Sequence, residues 1–155
     1  MNDSTPVTAD QEILITRIFD APRERVFRAW TDPDEVAEWY GPEQWETPRD
    51  RINIDLRVGG RYELTMVRRG GGSEFAIGYE IVELAEPELI VLRSDPMPEM
   101  GMHEPTVVRV EFHDHGDRTR MTLSDGPHPP QGRGPAEAGW NAAFDKLSAL
   151  VVERP

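Results

Sequence analysis

The sequence predicts an α+β fold: a curved antiparallel sheet of seven strands, two short helices after the first strand, and a long C-terminal helix over the sheet. Three observations predict it. Apolar residues recur at helical spacing twice between residues 20 and 42, apolar and polar residues alternate in several segments between 51 and 124, and helical spacing returns from Ala136 to Glu153. An exposed apolar sheet face needs a cover, and only the last helix is large enough to provide it.

The first predicted strand, Glu12 to Phe19, leads into the two short helices. Pro22 suits the first turn of a helix, where its missing N–H has no carbonyl to bind. Asp32 is expected to cap the second helix, with the Glu35 side chain reaching back to complete a capping box. The expected buried faces are Val26, Phe27 and Trp30 in the first helix, and Val36 and Trp39 in the second.

Six further strands are expected after a connection from Trp45 to Arg49. Asp55 and Arg57 are expected to pin the turn that ends at Gly60, and Gly70 to Gly72 is expected to close a hairpin. The predicted segments are 51–56, a strand through 62–66, 74–84, 89–94, 106–113 and 118–124. The inward rows are expected to be almost wholly apolar, with Tyr62 and Tyr79 as the polar exceptions.

The end of the chain contains a loop and then the long helix. Residues 126–135 hold four prolines and three glycines, which favours a loop, and Pro135 is expected in the first helical turn. The apolar residues of the helix are Trp140, Ala143, Phe144, Leu147, Leu150 and Val151. A single helix over a curved sheet often leaves a cavity between them, where a ligand can bind.

Composition excludes several classes of function. The chain has 155 residues, which predicts one domain over 12–153 after a disordered leader at 1–11. The net charge of −12 argues against nucleic acid as a partner. Cysteine is absent, so disulfide and thiol chemistry are excluded. No segment approaches the ~20 apolar residues of a membrane span, and the polar start does not resemble a secretory signal, so a cytoplasmic location is expected.

These segments resemble the helix-grip proteins of the START-like (SRPBCC) superfamily. The closest resemblance is to the branch named after the C-terminal domain of the activator of heat-shock protein 90 ATPase. The matching pieces are Ala21-Pro22, Val26 to Thr31, Asp32-Pro33, Trp39 to Pro42, Asp55 to Gly60, and Gly139-Trp140 with Leu147. The resemblance implies a seven-stranded sheet gripping the C-terminal helix around a cavity. The superfamily includes lipid carriers, hormone receptors and cyclases, so function has to be argued from the site.

The candidate site is the apolar lining of that cavity. Trp39, Tyr40 and Trp45 are either part of the cavity wall or ordinary core packing. Met97 and Met100, in a loop rich in Pro and Met, are either a flexible apolar lid or incidental loop residues. The expected ligand contacts are Phe27, Trp39, Tyr40, Trp45, Tyr62, Leu64, Met66, Ile77, Tyr79, Met97, Met100, Val110, Phe112, Trp140, Phe144 and Leu147.

Metal and catalytic sites are weakly indicated. His113 and His115 share one side of a strand, and His103 or His128 could add a third ligand, but nothing in the sequence brings these together. Ser124, Asp125 and His128 are close in sequence, yet such triplets often arise by chance. We therefore expect no metal, no cofactor and no catalytic residue.

The sequence leaves three functions open. The first is binding of a small, apolar or amphipathic molecule in the cavity. The second is an enzyme acting on a cyclic or aromatic substrate, which a buried Asp, Glu or His in the cavity would favour. The third, implied by the resemblance, is a co-chaperone or protein-interaction module in the stress response, with a chaperone as partner.

Overall fold

An antiparallel sheet faces a long C-terminal helix in the computed structural model, which describes residues 12–98 and 104–154. The leader predicted at 1–11 lies outside the described residues, and the single domain over 12–153 stays a prediction. The elements are β1 (Ile13–Phe19), α1 (Arg23–Thr31), α2 (Pro33–Trp39), β2 (Trp45–Glu46), β3 (Ile52–Ile54), β4 (Arg61–Arg68), β5 (Glu74–Ala85), β6 (Leu89–Ser94), β7 (Val107–His115), β8 (Arg118–Gly126) and α3 (Pro130–Glu153).

The predicted fold class is confirmed. The strands lie in the order β1-β8-β7-β6-β5-β4-β2, and β3 also pairs with β4. The eighth strand is the two-residue β2, in a segment where the sequence predicted only a connection; Trp45 pairs with Arg68 and Glu46 with Val67. Two residues are too few to show the alternation of apolar and polar positions by which a strand is recognised in a sequence.

The turn after β3 makes that strand shorter than predicted. Instead of continuing to Leu56, the chain turns at Asp55, whose N–H donates to the Arg61 carbonyl at 2.8 Å. Arg57 Nε donates to Asp55 Oδ2 at 2.8 Å, so these two residues pin the turn as expected. Gly60 is required here, since a Cβ at this position would lie 2.1 Å from the Asp55 carbonyl oxygen.

The predicted inward rows match the observed burial on β4 and β7. Tyr62, Leu64 and Met66 are buried on β4, and Val108, Val110 and Phe112 are buried on β7. Both short helices also bury the predicted faces. Because side chains alternate across a strand, this agreement means that the sheet register is the one the apolar pattern specifies. The expectation that Tyr62 and Tyr79 are the polar exceptions is wrong, because Ser94, Thr119 and Asp125 are buried in the inward rows of β6 and β8.

The long helix begins earlier than predicted. Residues 126–135 were expected to form a loop, but α3 starts at Pro130 and Pro135 lies inside it. The first helical bonds run from Gly132 N and Arg133 N to the Pro129 carbonyl, at 2.9 and 3.2 Å. Pro130 is tolerated because the N–H groups of a first turn have no intrahelical partner, so composition was a poor guide here. The prediction that Pro135 stands in the first turn is wrong, because the helix begins five residues before it. None of the helices within the described ranges is long and apolar enough to cross a membrane.

The predicted capping box is half right. Asp32 caps α2, accepting a hydrogen bond from Asp34 N at 3.0 Å. Glu35 does not reach back to Asp32; instead its carboxylate binds Arg25 Nη1 at 2.6 Å and Arg28 Nε at 3.2 Å. Arg25 is buried and its Nε also donates to the Arg154 carbonyl at 2.5 Å. Glu35 and Arg25 therefore connect α1, α2 and the end of α3.

Removal of Glu35 should destabilise the protein because Arg25 would keep a buried charge without its carboxylate. We expect Glu35→Ala to lower the free energy of unfolding by about 3 kcal/mol, measured by urea denaturation. The double variant Arg25→Met/Glu35→Met should recover much of that loss, since it removes both charges. The matched control is Glu74→Ala, which breaks the exposed pair with Arg51 and should change stability little. Equal losses of unfolding free energy in Glu35→Ala and Glu74→Ala would contradict the role of Glu35 as the partner of the buried Arg25 charge.

Candidate functional site

A cavity of about 390 Å³ lies between α3 and the sheet. Strands β4 and β5 supply one wall, the first half of α3 supplies the facing wall, and the segment between α2 and β2 closes one side. Its lining is Tyr40, Gly41, Pro42, Trp45, Met66, Phe75, Ile77, Tyr79, Met97, Thr106, Asp125, His128, Pro129, Gln131, Gly132, Pro135, Ala136, Gly139, Trp140 and Ala143. Most of these side chains are apolar, which suits a small organic ligand.

The predicted contacts divide into two groups. Those that line the cavity are Tyr40, Trp45, Met66, Ile77, Tyr79, Met97 and Trp140. Those packed in the hydrophobic core, away from the cavity lining, are Phe27, Trp39, Tyr62, Leu64, Val110, Phe112, Phe144 and Leu147. Met100 lies outside the described residues. A ligand contact by any of these side chains stays a prediction.

The predicted contacts that lie in the hydrophobic core pack against, or donate hydrogen bonds to, neighbouring elements. Phe27 packs edge-on against Phe112 with ring centroids 5.4 Å apart. Trp39 Nε1 donates to the Ala29 carbonyl at 2.8 Å, and Tyr62 Oη donates to the Trp30 carbonyl at 2.6 Å. Aromatic side chains therefore fill the space between sheet and helix around α1 and α2, and the open volume remains beside the start of α3.

The cavity also has a polar end that the sequence analysis missed. Asp125, at the end of β8, is 5% exposed, and His128 is 9% exposed. Asp125 Oδ2 accepts a hydrogen bond from Trp140 Nε1 at 2.9 Å and lies 3.0 Å from His128 Nε2. Among the described residues, Asp125 Oδ1 and His128 Nε2 have no hydrogen-bond partner, so the two side chains are close but not aligned. A carboxylate in phase with the apolar residues Met121 and Leu123 is the signal that could have identified this site.

Ser124 does not complete a triad with Asp125 and His128. Ser124 and Asp125 are neighbours on β8, and adjacent residues of a strand point to opposite faces. Asp125 faces inward, whereas Ser124 pairs with Leu14 and Arg109, which are both exposed. The arrangement provides a His–carboxylate pair without a serine nucleophile.

Two tyrosine hydroxyls face the same region. Tyr40 Oη and Tyr79 Oη are 3.5 Å apart, and both side chains are buried. Burial raises the pKa of Tyr40 to about 12; its hydrogen bond with Tyr79 opposes this rise and the Asp125 charge adds to it. Burial also raises the pKa of Tyr79 well above its usual value, with Tyr40 and Asp125 adding to the rise. Both hydroxyls therefore stay protonated at neutral pH and can donate to a ligand.

The described histidines considered for a metal site lie at opposite ends of the hairpin formed by β7 and β8. His113 and His115 pair with Arg120 and Arg118 near the start of β8, whereas His128 follows its other end. His113 Nε2 lies 3.1 Å from Glu111 Oε1 instead. Across residues 12–98 and 104–154, no three His, Asp or Glu side chains come together as metal ligands. His103 lies outside these ranges.

Comparison with known proteins places this fold in a family. A family model described as "Activator of Hsp90 ATPase homolog 1-like protein" matches residues 20–152. A solved structure from Chromobacterium violaceum is 26% identical, with a TM-score of 0.80, and the match covers 91% of this chain and 96% of that one. A structure from Nitrosomonas europaea is 20% identical, with a TM-score of 0.79 and coverage of 95% and 97%. The AHSA1-like protein from Aeromonas hydrophila is 23% identical, with a TM-score of 0.74 and 92% of both chains covered. No curated protein matches.

The chain's three tyrosines provide a test of this packing. Burial raises the pKa of Tyr62 as well, so all three pKa values lie above 10 in the folded protein. Unfolded tyrosine titrates near pH 10. As pH rises above 10, the unfolded chain loses tyrosine protons that the folded chain keeps, so the free energy of unfolding should fall between pH 10 and about 12.

The measurement is a titration of phenolate absorbance, with and without denaturant. We expect the denatured control to ionise near pH 10 and the folded protein to show no phenolate there. A tyrosine that ionises near pH 10 while the fold is intact would contradict the burial of these side chains.

Proposed function

Since the chain belongs to the family of Activator of Hsp90 ATPase homolog 1-like proteins, we propose that it binds a small, apolar or amphipathic molecule in the cavity between the sheet and α3. The cavity itself, about 390 Å³ with a mainly apolar lining, is the observation that supports this function. Burial of ~300 Å² of apolar ligand surface provides roughly 7 kcal/mol before the costs of binding. After those costs, an affinity in the micromolar range is expected.

Volume added inside the cavity should block ligand binding. Ala136 lines the cavity on α3, whereas Ala138, two residues later, is exposed. We expect Ala136→Phe to weaken binding at least about tenfold because its phenyl group occupies the ligand's space, and Ala138→Phe to bind like the wild type. Both variants replace an alanine of α3 with phenylalanine, so they are matched in helix propensity and in the size of the added side chain.

The measurement is native mass spectrometry of the three proteins, each freshly purified from the protein's own host. A bound molecule, seen as an additional mass that is lost on denaturation, is expected in the wild type and in Ala138→Phe. The fraction of protein bearing this additional mass should be lower in Ala136→Phe. Equal retention in both variants, or a clean apo mass in the wild type at every concentration of added host extract, would contradict the proposal.

Acid–base catalysis on a cyclic or aromatic substrate is a second candidate function. The observation that favours it is the buried pair of His128 and Asp125, with Nε2 and Oδ2 3.0 Å apart, at the edge of an aromatic-lined cavity. His128 would exchange protons with the substrate, with the Asp125 carboxylate beside it as a source of negative charge. The Tyr40 and Tyr79 hydroxyls would then donate hydrogen bonds to a substrate oxygen.

The third function that the sequence left open, interaction with a chaperone partner, stays a prediction.

This catalytic role predicts proton exchange on a bound ketone. We expect the wild type to speed incorporation of deuterium next to the carbonyl of 2-tetralone in heavy water, and His128→Gln to be about 100-fold slower. The exchange is followed by mass spectrometry, with Ala138→Phe as a control that should match the wild type. Equal rates with wild type and with His128→Gln would exclude His128 as the proton acceptor.

A further inference from the structure

Asp125 is the acidic residue of the described cavity lining, and its nearest basic neighbour is His128, whose Nε2 lies 3.0 Å from Asp125 Oδ2. Its side chain is buried, and its Oδ2 accepts one hydrogen bond, from the neutral indole of Trp140. Its Oδ1 has no partner among the described residues. A buried carboxylate in this state is unfavourable, because burial removes hydration without replacing it by an equivalent interaction.

The cavity lining contains no Lys or Arg within the described residues. The remaining titratable groups there are His128 and the hydroxyls of Tyr40 and Tyr79. The tyrosines can donate hydrogen bonds but bear no positive charge, and His128 is not aligned for a hydrogen bond with Asp125. Neither Lys nor Arg therefore supplies a fixed counter-charge for Asp125 from the described cavity wall.

From this we propose that the ligand bears a protonated amine, which pairs with Asp125 while the apolar body of the ligand fills the rest of the cavity. The inference rests on the proposed binding function and specifies its ligand class. It combines three features of the site: a buried carboxylate whose Oδ1 has no hydrogen-bond partner among the described residues, a described lining without Lys or Arg, and several aromatic side chains in that lining.

Aromatic side chains beside Asp125 favour a cation. Tyr40 and Trp140 pack edge-on with ring centroids 5.7 Å apart, and both line the cavity together with Trp45 and Tyr79. The face of an aromatic ring attracts an ammonium group, and a group of such rings is a common way to bind one. The hydrogen bond from Trp140 also holds the carboxylate beside these rings.

The charge of the whole chain favours the same ligand class. A net charge of −12 concentrates cations near the protein and repels anions. A fatty acid or another carboxylate would place a second negative charge beside Asp125 in a site of low polarity. Anionic lipids are therefore the ligands that this cavity disfavours most.

The carboxylate must rotate to meet the ligand. Asp125 Oδ1 has no solvent-accessible surface in this structure, although the residue contributes to the cavity lining. The terminal torsion of an aspartate is broad, so rotation about Cβ–Cγ can turn an oxygen towards the cavity at low cost. The amine would then occupy the position between Asp125 and the two tyrosine hydroxyls.

Matched naphthalene probes test the proposal on the wild-type protein. We expect calorimetric titration to rank 1-naphthylmethylamine first, about tenfold or more tighter than 1-naphthalenemethanol, and 1-naphthoic acid last. The three share one ring system and differ in the charge of the polar group. Equal or tighter binding of the alcohol or the acid would overturn the amine assignment and leave the proposed function intact. No binding of any probe would contradict both.

Asp125→Asn tests which group is responsible. The amide oxygen can still accept from Trp140 Nε1, so the cavity is retained while the negative charge is lost. We expect this variant to bind the amine and the alcohol equally, and Ser124→Ala, on the outer face of the same strand, to keep the wild-type preference. A preference for the amine that persists in Asp125→Asn would overturn the proposal. The comparison of probes on the wild type decides the question if the variant does not fold.

Discussion

The aromatic cluster around Trp30 is the contact on which the rest of the structure depends. Trp30 is fully buried and packs against Trp39 with ring centroids 4.8 Å apart, Trp140 at 5.9 Å and Phe144 at 6.2 Å. Its carbonyl accepts the hydroxyl of Tyr62 from β4. One residue of α1 thus contacts α2, α3 and the sheet. Aromatic packing of this kind is both apolar and directional, so it sets the distance between α3 and the strands as well as stabilising the fold.

The cavity is a consequence of where this cluster ends. Trp140 belongs to both the aromatic cluster and the cavity, since its ring packs against Trp30 and Phe144 and the residue also lines the cavity. Its indole N–H donates a hydrogen bond to Asp125, and this bond fixes the polar end of the cavity relative to the core. Gly139, next to Trp140, lies where a Cβ would be 3.4 Å from Pro42 Cγ, so α3 approaches the segment after α2 closely at the cavity's edge.

Local patterns were sufficient for much of the fold and for part of the site. The alternation of Tyr62, Leu64 and Met66 predicted which face of β4 is buried, because strand periodicity is a property of the backbone alone. Met66 and Ile77 were predicted as cavity residues and line it, but Leu64, in the same row as Met66, lies in the core. Periodicity distinguishes inside from outside, and it does not distinguish a filled interior from an open one.

The sequence by itself determined the order of the elements other than β2, most of the inward faces and the family resemblance, all of which follow from short-range spacing and turn chemistry. Only the tertiary structure decided where the interior stays open, that Glu35 pairs with Arg25, and that Asp125 and His128 meet at the cavity. These depend on how separate elements pack against one another, as in the contact of Asp125 on β8 with Trp140 on α3, which is set by how the helix lies on the sheet. A buried polar group acquires its chemical role from the partners that packing brings to it, or withholds from it.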